Sequence, residues 1–216
     1  RDCDVIYSVY KRCFNKVHSV YLKTSRMAID QLLFADYPEY YISDCVKKMA
    51  YWPKQERITL EDLLERLDLC FLSPKLRNYH LDKKEYVSPQ NYEKIRGMFF
   101  REKVEIMKFF QPQRNAAYKY FRNYIGESKD ILIVDLGWKG SSVFYLNLVI
   151  NNIFKMEKNI KGALMLSDFD SFTGRLEESG FIEVYLASNL SNHSYWMDKG
   201  TRYNMYKLFV EATFTS

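Results

Sequence analysis

The sequence lacks any apolar run of the roughly 18 residues that a transmembrane helix needs, so we predict no membrane span. Histidine is scarce, with 3 residues, and none of the 4 cysteines forms a C-x-x-C pair. Because zinc sites draw on closely spaced ligands of these types, we predict no metal and no cofactor. The scattered cysteines are typical of reduced thiols, which favours a cytoplasmic location.

A strong charge of one sign is also missing. The chain carries 32 basic and 27 acidic residues, a net charge of +5, with the two signs interspersed. This charge is compatible with small anionic ligands but falls well short of a dedicated nucleic-acid binder, and no RNP-like or Gly-rich basic motif is present. We therefore predict no nucleic-acid partner.

Apolar residues are abundant in the sequence, and so are aromatic residues. Apolar residues make up 47% of the 216 residues and aromatic residues 17%, and this composition predicts a globular chain with a substantial core. We expect one domain over 1–216. Because the chain begins at Arg1 rather than at a methionine, we also expect it to be a piece of a larger protein.

The strongest functional signal lies in residues 131–154, ILIVDLGWKGSSVFYLNLVINNIF. The apolar run 131–134 predicts a buried strand that ends at Asp135. A glycine-bearing turn follows, and Ser141 or Ser142 can cap the helix after it. The apolar side of that helix consists of Val143, Leu146, Val149, Ile150 and Ile153.

The composition of this turn predicts an anion site. Gly137 and Gly140 let the backbone approach a ligand, the start of the helix offers N–H groups, and Lys139 adds a positive charge. Asp135 can orient a sugar hydroxyl or act as a general base, and Trp138 can stack on a ring. The alternative is a tight structural connection in which Trp138 is in the core, Asp135 accepts backbone N–H groups and Lys139 is solvated.

A second polar turn lies near the start of the chain. Residues 17–23 are rich in β-formers and predict a strand, and a helix is predicted from Met27 onward. Between them, Ser25 and Arg26 can hold a phosphate or carboxylate at the end of the strand. In the alternative, Ser25 only caps the helix and Arg26 is solvated.

The rest of the chain predicts an α/β fold. Segment 36–126 is predicted to be helical with short breaks, one of them at Pro112, and to form a helical insert between the first two strands. Further strands are predicted at 163–166 and 181–187, and a final helix at 203–213. We therefore expect a small, mostly parallel, Rossmann-like sheet flanked by helices.

An acidic segment, SDFDSFT, follows the strand at 163–166. An apolar strand followed by Asp168 and Asp170 is similar to the nucleophile motif of haloacid-dehalogenase-like (HAD-like) phosphatases. Phe172, however, stands where that motif has threonine or valine, and fewer than 50 residues follow, too few for the rest of such a core. A solvated acidic loop is therefore the prediction.

Four segments together resemble a known family: VYLKTSRMAI, ITLEDLLERLDL, IVDLGWKGSS and LFVEATFTS. They resemble the region that follows the HAD-like domain in large bacterial proteins. Those proteins are identified as predicted HAD-superfamily hydrolases, and many are encoded among genes for surface or capsular polysaccharide synthesis. The positions that match are Ser25, Arg26, Asp135, Gly137, Trp138, Gly140, Ser141 and Glu211. The D-x-D-x-T element of the family's phosphatase domain is not matched, so the resemblance implies a companion domain.

The resemblance implies an α/β domain of polysaccharide biosynthesis that binds a phosphorylated or nucleotide-activated sugar, either glycosyltransferase-like or HAD-associated and hydrolytic. Asp135 is the candidate catalytic group. The predicted ligand-binding residues, from the resemblance and from their chemistry, are Ser25, Arg26, Gly137, Trp138, Lys139, Gly140, Ser141, Ser142 and Glu211. The alternative is a non-catalytic module that contacts protein partners of a polysaccharide assembly system through its aromatic helical segment.

Overall fold

The computed structural model describes residues 2–13, 19–34, 36–42, 46–51, 57–167 and 171–187. The chain divides into two compact units. Thr24–Tyr120 forms one, called the helical unit, and Arg1–Lys23 with Phe121–Ser216 forms the other, called the sheet unit. The expectation of one domain with an insert over 36–126 stays a prediction.

The described elements alternate between helices and strands only in the second half of the chain. The first half, up to residue 125, contains α1 Asp2–Cys13, α2 Arg26–Leu33, α3 Pro38–Ile42, α4 Lys48–Tyr51, α5 Leu60–Arg66, the 3-10 helix Cys70–Tyr79, α6 Tyr92–Arg101 and α7 Lys103–Ile125. The second half contains β1 Asp130–Trp138, α8 Ser141–Asn147, the π-helix Leu148–Ile153, β2 Asn159–Ser167, α9 Ser171–Glu178 and β3 Ile182–Ala187. None of the described helices combines the length and the hydropathy that crossing a membrane requires.

The helical unit encloses a continuous apolar core. Helix α5 begins at a capping box, in which the Thr59 hydroxyl accepts from the Asp62 N–H at 3.1 Å and the Asp62 carboxylate accepts from the Thr59 N–H at 2.9 Å. The capped helix then directs its leucines into the core. Fully buried side chains of this core include Phe34, Tyr41, Ile42, Leu60, Leu63, Leu64, Leu72, Ile95, Met98, Phe99, Ile106 and Phe110.

Helix α7 continues through Pro112, where the sequence predicts a break. Proline removes one helical hydrogen bond, because it has no N–H. The loss is confined to that position, and Ile106 and Phe110 just before it are buried. Burial of this apolar side outweighs the local preference of proline for a helix end.

The sheet unit contains a parallel three-stranded sheet in the part of the chain that the structure describes, with the order β1-β2-β3. The predicted α/β class is therefore confirmed, and the predicted strands at 131–134, 163–166 and 181–187 are all present. The first two are longer than predicted. Their ladder starts at Asp130 opposite Asn159 and ends at Trp138 opposite Ser167.

The strand predicted at 17–23 is wrong over its described part, since residues 19–23 have no regular secondary structure. These residues contact helix α1 instead of pairing with a strand. The Tyr7 hydroxyl donates to the Ser19 carbonyl at 3.2 Å, and the Tyr7 and Tyr21 rings lie 5.7 Å apart. The helical segment is accordingly not inserted between two strands of the described sheet.

Candidate functional site

The turn after β1 is shorter than the sequence predicts. Asp135 does not end the strand, because pairing with β2 continues through Gly137 opposite Leu166 and Trp138 opposite Ser167. The connection to α8 consists only of Lys139 and Gly140. Gly137 and Trp138 therefore belong to the strand rather than to the turn.

Gly140 has the one backbone conformation in this turn that favours glycine. Its φ is +64°, and it occupies the N-cap position of α8. A Cβ atom at this position would lie 3.0 Å from Ile182 Cδ1 and 3.4 Å from the Leu164 and Leu176 methyl carbons. The sheet and α9 thus pack directly against the turn, and a side chain at position 140 would have to displace these methyl groups by a few tenths of an ångström.

The prediction that Ser141 or Ser142 caps α8 is wrong, because Gly140 is the N-cap residue and no side chain of the described residues caps the helix. The apolar stripe after them is confirmed in large part, since Val143, Leu146 and Val149 are buried with Ile150. The serines stand in the first turn of the helix and are half-buried. The two serines thus lie next to the Lys139–Gly140 turn but do not cap the helix.

The helix changes to a π-helix at Leu148–Ile153 before the chain enters β2. The Asn151 side chain holds this end of the crossover. Its amide nitrogen donates to the Lys158 carbonyl at 2.8 Å, and its amide oxygen accepts from the Lys158 N–H at 2.7 Å. Single π turns within helices often occur near functional sites.

The predicted polar residues around the turn are open to solvent to different extents. Lys139 is exposed, and Asp135 is half-buried in β1. The side chain of Trp138 lies outside the described part of the structure, so its stacking on a ligand stays a prediction. The turn therefore consists of an exposed lysine, Lys139, and a buried glycine, Gly140.

Helix α9 adds two polar side chains that sequence reasoning missed. The Thr173 hydroxyl is fully buried and donates to the Lys139 carbonyl at 3.3 Å. Ser167, at the end of β2 and 1% exposed, donates to Glu177 Oε1. The other carboxylate oxygen, Glu177 Oε2, is buried and has no hydrogen-bond partner among the described residues. A carboxylate with one unsatisfied buried oxygen therefore lies next to the carboxyl end of β2.

A repeated pattern in the sequence is the signal that could have indicated these residues. A strand followed by a helix occurs after β1 and again after β2, where α9 begins at Ser171, four positions after the last residue of β2. In parallel sheets, ligands bind at the carboxyl ends of the strands, so residues of both turns are candidates. Asp168 and Asp170, which the sequence predicts to lie in a solvated acidic loop after β2, are outside the described residues.

Ser25 and Arg26 belong to the helical unit, and each has a local partner there. The Ser25 hydroxyl accepts from the Ala28 N–H at 3.2 Å and caps α2, as the structural alternative predicts. Arg26 Nε donates to the Asp30 carboxylate at 3.1 Å, and Asp30 is only 4% exposed. Arg26 is thus paired rather than simply solvated, and its binding to a ligand of the turn stays a prediction.

Two further predictions fall beyond what the structure describes. Glu211, predicted to bind a ligand, lies outside the described residues, as does the predicted helix at 203–213. Among the described residues, no three His, Cys, Asp or Glu side chains come together as a metal site requires.

Comparison with known proteins identified no relative of this chain. No protein-family model matches the chain, and neither a curated protein nor a solved structure matches it. The resemblance to the region after a HAD-like domain therefore stays a prediction.

Proposed function

We propose that the carboxyl edge of β1 and β2 binds a phosphorylated or nucleotide-activated sugar, in a carbohydrate-related domain of bacterial surface or capsular polysaccharide synthesis. The observation that most supports this is the grouping of polar groups at one edge of a parallel sheet. The turn at Lys139 follows β1, and Ser167 ends the adjacent β2 with Glu177 bonded to it. Open α/β sheets bind their ligands at this edge.

Each group has a role that suits such a ligand. The exposed Lys139 ammonium pairs with a phosphate, and N–H groups in the first turn of α8, whose N-cap residue is Gly140, add hydrogen bonds to it. Glu177 Oε2 accepts a sugar hydroxyl, which would satisfy that buried oxygen.

Asp135 is the proposed general base. It is half-buried in β1, before the turn. A carboxylate that removes a proton from the attacking hydroxyl serves a transferase when the attacker is an acceptor sugar and a hydrolase when it is water. The same position therefore supports either reaction, and Trp138, Ser25, Arg26 and Glu211 stay additional candidates for ligand contacts.

A second candidate function is a non-catalytic module that contacts protein partners of a polysaccharide assembly system. Large apolar side chains of the helical unit favour it, because Tyr51, Tyr86 and Val104 are each at least half exposed. Such a module would bind a protein and would be insensitive to phosphate ligands.

Thermal unfolding with nucleoside-diphosphate sugars tests the first function. At a ligand concentration about 100 times the Kd, binding adds about 2.7 kcal/mol, which raises the melting temperature of a chain this size by roughly 5–10 °C. We expect Asp135→Asn and Lys139→Ala each to abolish this shift while the ligand-free melting temperature changes little.

The matched control is Lys129→Ala, since Lys129 is exposed just before the amino end of β1. It removes the same charge from the same unit and should leave the shift intact. No shift with any phosphate ligand, together with co-purification of a protein partner, would favour the second function instead. Unfolding of both turn variants would mean that the turn is structural.

A further inference from the structure

Two hydrogen bonds join one side of α9 to the carboxyl ends of β1 and β2. Thr173 and Glu177 are four residues apart in α9, so they lie on the same side of the helix. The Thr173 hydroxyl donates to the carbonyl of Lys139, in the turn after β1. Ser167, the last residue of β2, donates to Glu177 Oε1, and it pairs with Trp138 directly before the same turn. Both bonds therefore lie at the sheet edge of the proposed site.

The two bonds differ in what they leave unpaired. The Thr173 bond joins a fully buried hydroxyl to a backbone carbonyl. The bond from Ser167, which is 1% exposed, engages only one of the two carboxylate oxygens of Glu177. The other, Oε2, is buried, and no described residue donates to it. A buried carboxylate oxygen that lacks a donor costs folding free energy, so its presence needs a physical reason.

The carboxylate lies close enough to the surface for a ligand to reach it. Glu177 as a whole residue is half-buried, and the terminal torsion of a glutamate is broad, so a rotation of the carboxylate turns Oε2 toward solvent. The ladder between β2 and β3 shifts its register between Leu164 and Leu166, just before Ser167. Such irregularities are common next to active sites, where they redirect a side chain. A hydroxyl group of a ligand can thus supply the missing donor.

We propose that Glu177, held by Ser167, is the specificity-determining residue of this site and selects ligands that carry a free hydroxyl group beside their phosphate. This inference rests on the proposed function and names the feature of the sugar that the site recognises. A site built to hydrogen-bond a hydroxyl group rejects a ligand without one, because the acceptor of the site is then left unpaired. The pair of Ser167 and Glu177 thus serves binding at a cost in stability.

The first part of the test needs no ligand. In the double variant Ser167→Ala/Glu177→Met, apolar groups replace both hydrogen-bonding partners, so neither is left unpaired. We expect its melting temperature to equal or exceed that of the unaltered chain. Thr173→Val is the contrast, because it deprives the Lys139 carbonyl of this donor, and it should melt roughly 2–8 °C lower.

The second part measures Kd by titration calorimetry. The probes are a nucleoside-diphosphate hexose that shifts the melting temperature and its deoxy analogues, each of which lacks one hydroxyl group. For the unaltered chain, we expect the loss of one particular hydroxyl group to weaken binding about 10- to 100-fold, as for a hydrogen bond to a charged group. In Ser167→Ala/Glu177→Met the same loss should change Kd by less than about threefold. A purely structural role of Glu177 would not produce this coupling to one hydroxyl group.

Two further variants sharpen the binding measurement. Glu177→Gln removes the charge without changing the volume, and its amide oxygen can still accept from Ser167. It should reduce the effect of the missing hydroxyl group to less than about tenfold, since a neutral hydrogen bond is weaker. Glu178→Gln is the matched control, because Glu178 is the next residue and is exposed. It should keep the full effect.

Three outcomes would overturn the inference, and they are distinguishable. If no nucleoside-diphosphate sugar binds, the proposed function fails and the inference fails with it. If such a ligand binds but each missing hydroxyl group weakens binding equally in the unaltered chain and in Glu177→Gln, only the inference fails. If Ser167→Ala/Glu177→Met melts as far below the unaltered chain as Thr173→Val does, the pair is structural.

Discussion

One carboxylate of the helical unit and one of the sheet unit differ in how completely they are hydrogen-bonded. In the helical unit, Lys75 Nζ donates to Glu102 at 2.6 Å and the Tyr79 hydroxyl donates to the same carboxylate at 2.5 Å, so polar groups join helices to one another. In the sheet unit, one buried oxygen of Glu177 has no hydrogen-bond partner within the described ranges, and the sheet exposes apolar residues on one face. The comparison indicates that Glu177 is the less completely hydrogen-bonded of the two carboxylates among the described residues.

The largest expected effect comes from the core of the helical unit. Phe99 is fully buried, with its ring edge-on to Phe34 at 6.2 Å. Phe99→Ala should lower the free energy of unfolding by about 3–5 kcal/mol, through lost burial and the cavity left behind. Urea unfolding measures the loss. Val104→Ala, at a position 63% exposed, should change it by less than about 0.5 kcal/mol, and equal losses would contradict the packing described above.

A pair of glycine substitutions sharpens the comparison between the units. Gly140→Ala should cost about 2–3 kcal/mol, because alanine disfavours the left-handed conformation and its methyl group would press on Ile182. Gly97→Ala in α6 has no atom within 4 Å of the new methyl group. It should stabilise the chain by about 0.5–1 kcal/mol, since alanine favours a helix. Urea unfolding of both variants would contradict the role of Gly140 if the two effects had the same sign.

A smaller effect is expected from the ion pair in the helical unit. Hydrogen bonds from Lys75 and then Tyr79 hold the pKa of Glu102 below its ordinary value. A carboxyl whose pKa is lowered by folding stabilises the chain above its unfolded pKa, and this stability is lost as the pH falls through the folded pKa. Glu102→Gln should therefore cost about 1–2 kcal/mol at neutral pH after solvent screening.

Unfolding free energies of Glu102→Gln and the unaltered chain, measured from neutral to acid pH, check this prediction. The difference between them should shrink in the acid range, where Glu102 becomes protonated. Tyr79→Phe removes one of the two hydrogen bonds to the carboxylate and should show a smaller difference of the same sign. A difference that does not depend on pH would rule out a role for the charge.

The smallest effect is expected at Ser25. This residue is a ligand contact in one interpretation of the Ser25–Arg26 turn and only a helix cap in the other. Ser25→Ala should lower stability by about 1 kcal/mol or less, because α2 loses its cap, and Ser25→Asp should restore it. Thermal unfolding gives the stability, and the same samples with a sugar nucleotide give the ligand-induced shift. A lost shift at unchanged stability would make Ser25 a ligand residue rather than a cap.

Sequence periodicity was enough to predict the type of most described elements. Apolar runs predicted the three strands, and 3.6-residue spacing predicted the helical character of the first half of the chain. The strand ends were misplaced, because backbone pairing of Gly137 and Trp138 with β2 depends on the partner strand. The strand at 17–23 failed for the same reason, since β propensity does not supply a neighbour.

The site was predicted only where its residues are close in sequence. Lys139 and the start of α8 follow β1 directly, so the turn could be found from spacing. Thr173 bonds to Lys139 across 34 positions, and no local pattern encodes such a contact. The cap at Gly140 differs from the prediction because a serine is the commoner cap, whereas the left-handed backbone and the crowding by Ile182 that favour glycine there arise from the tertiary structure.

The π-helix between α8 and β2 has a consequence for how the crossover tolerates a change in length. Successive residues of an α-helix are rotated by about 100° about the helix axis. The one extra residue of a π turn therefore rotates the preceding part of the helix by about that angle relative to an uninterrupted α-helix. Deleting one residue of Leu148–Ile153 other than Asn151 should convert the π-helix to an α-helix without breaking it. Because Asn151 would still bind Lys158, the deletion would rotate Ser141 and Ser142 away from their present direction. The direction of the two serines is thus set by the number of residues in a segment that begins about 10 Å further along the helix.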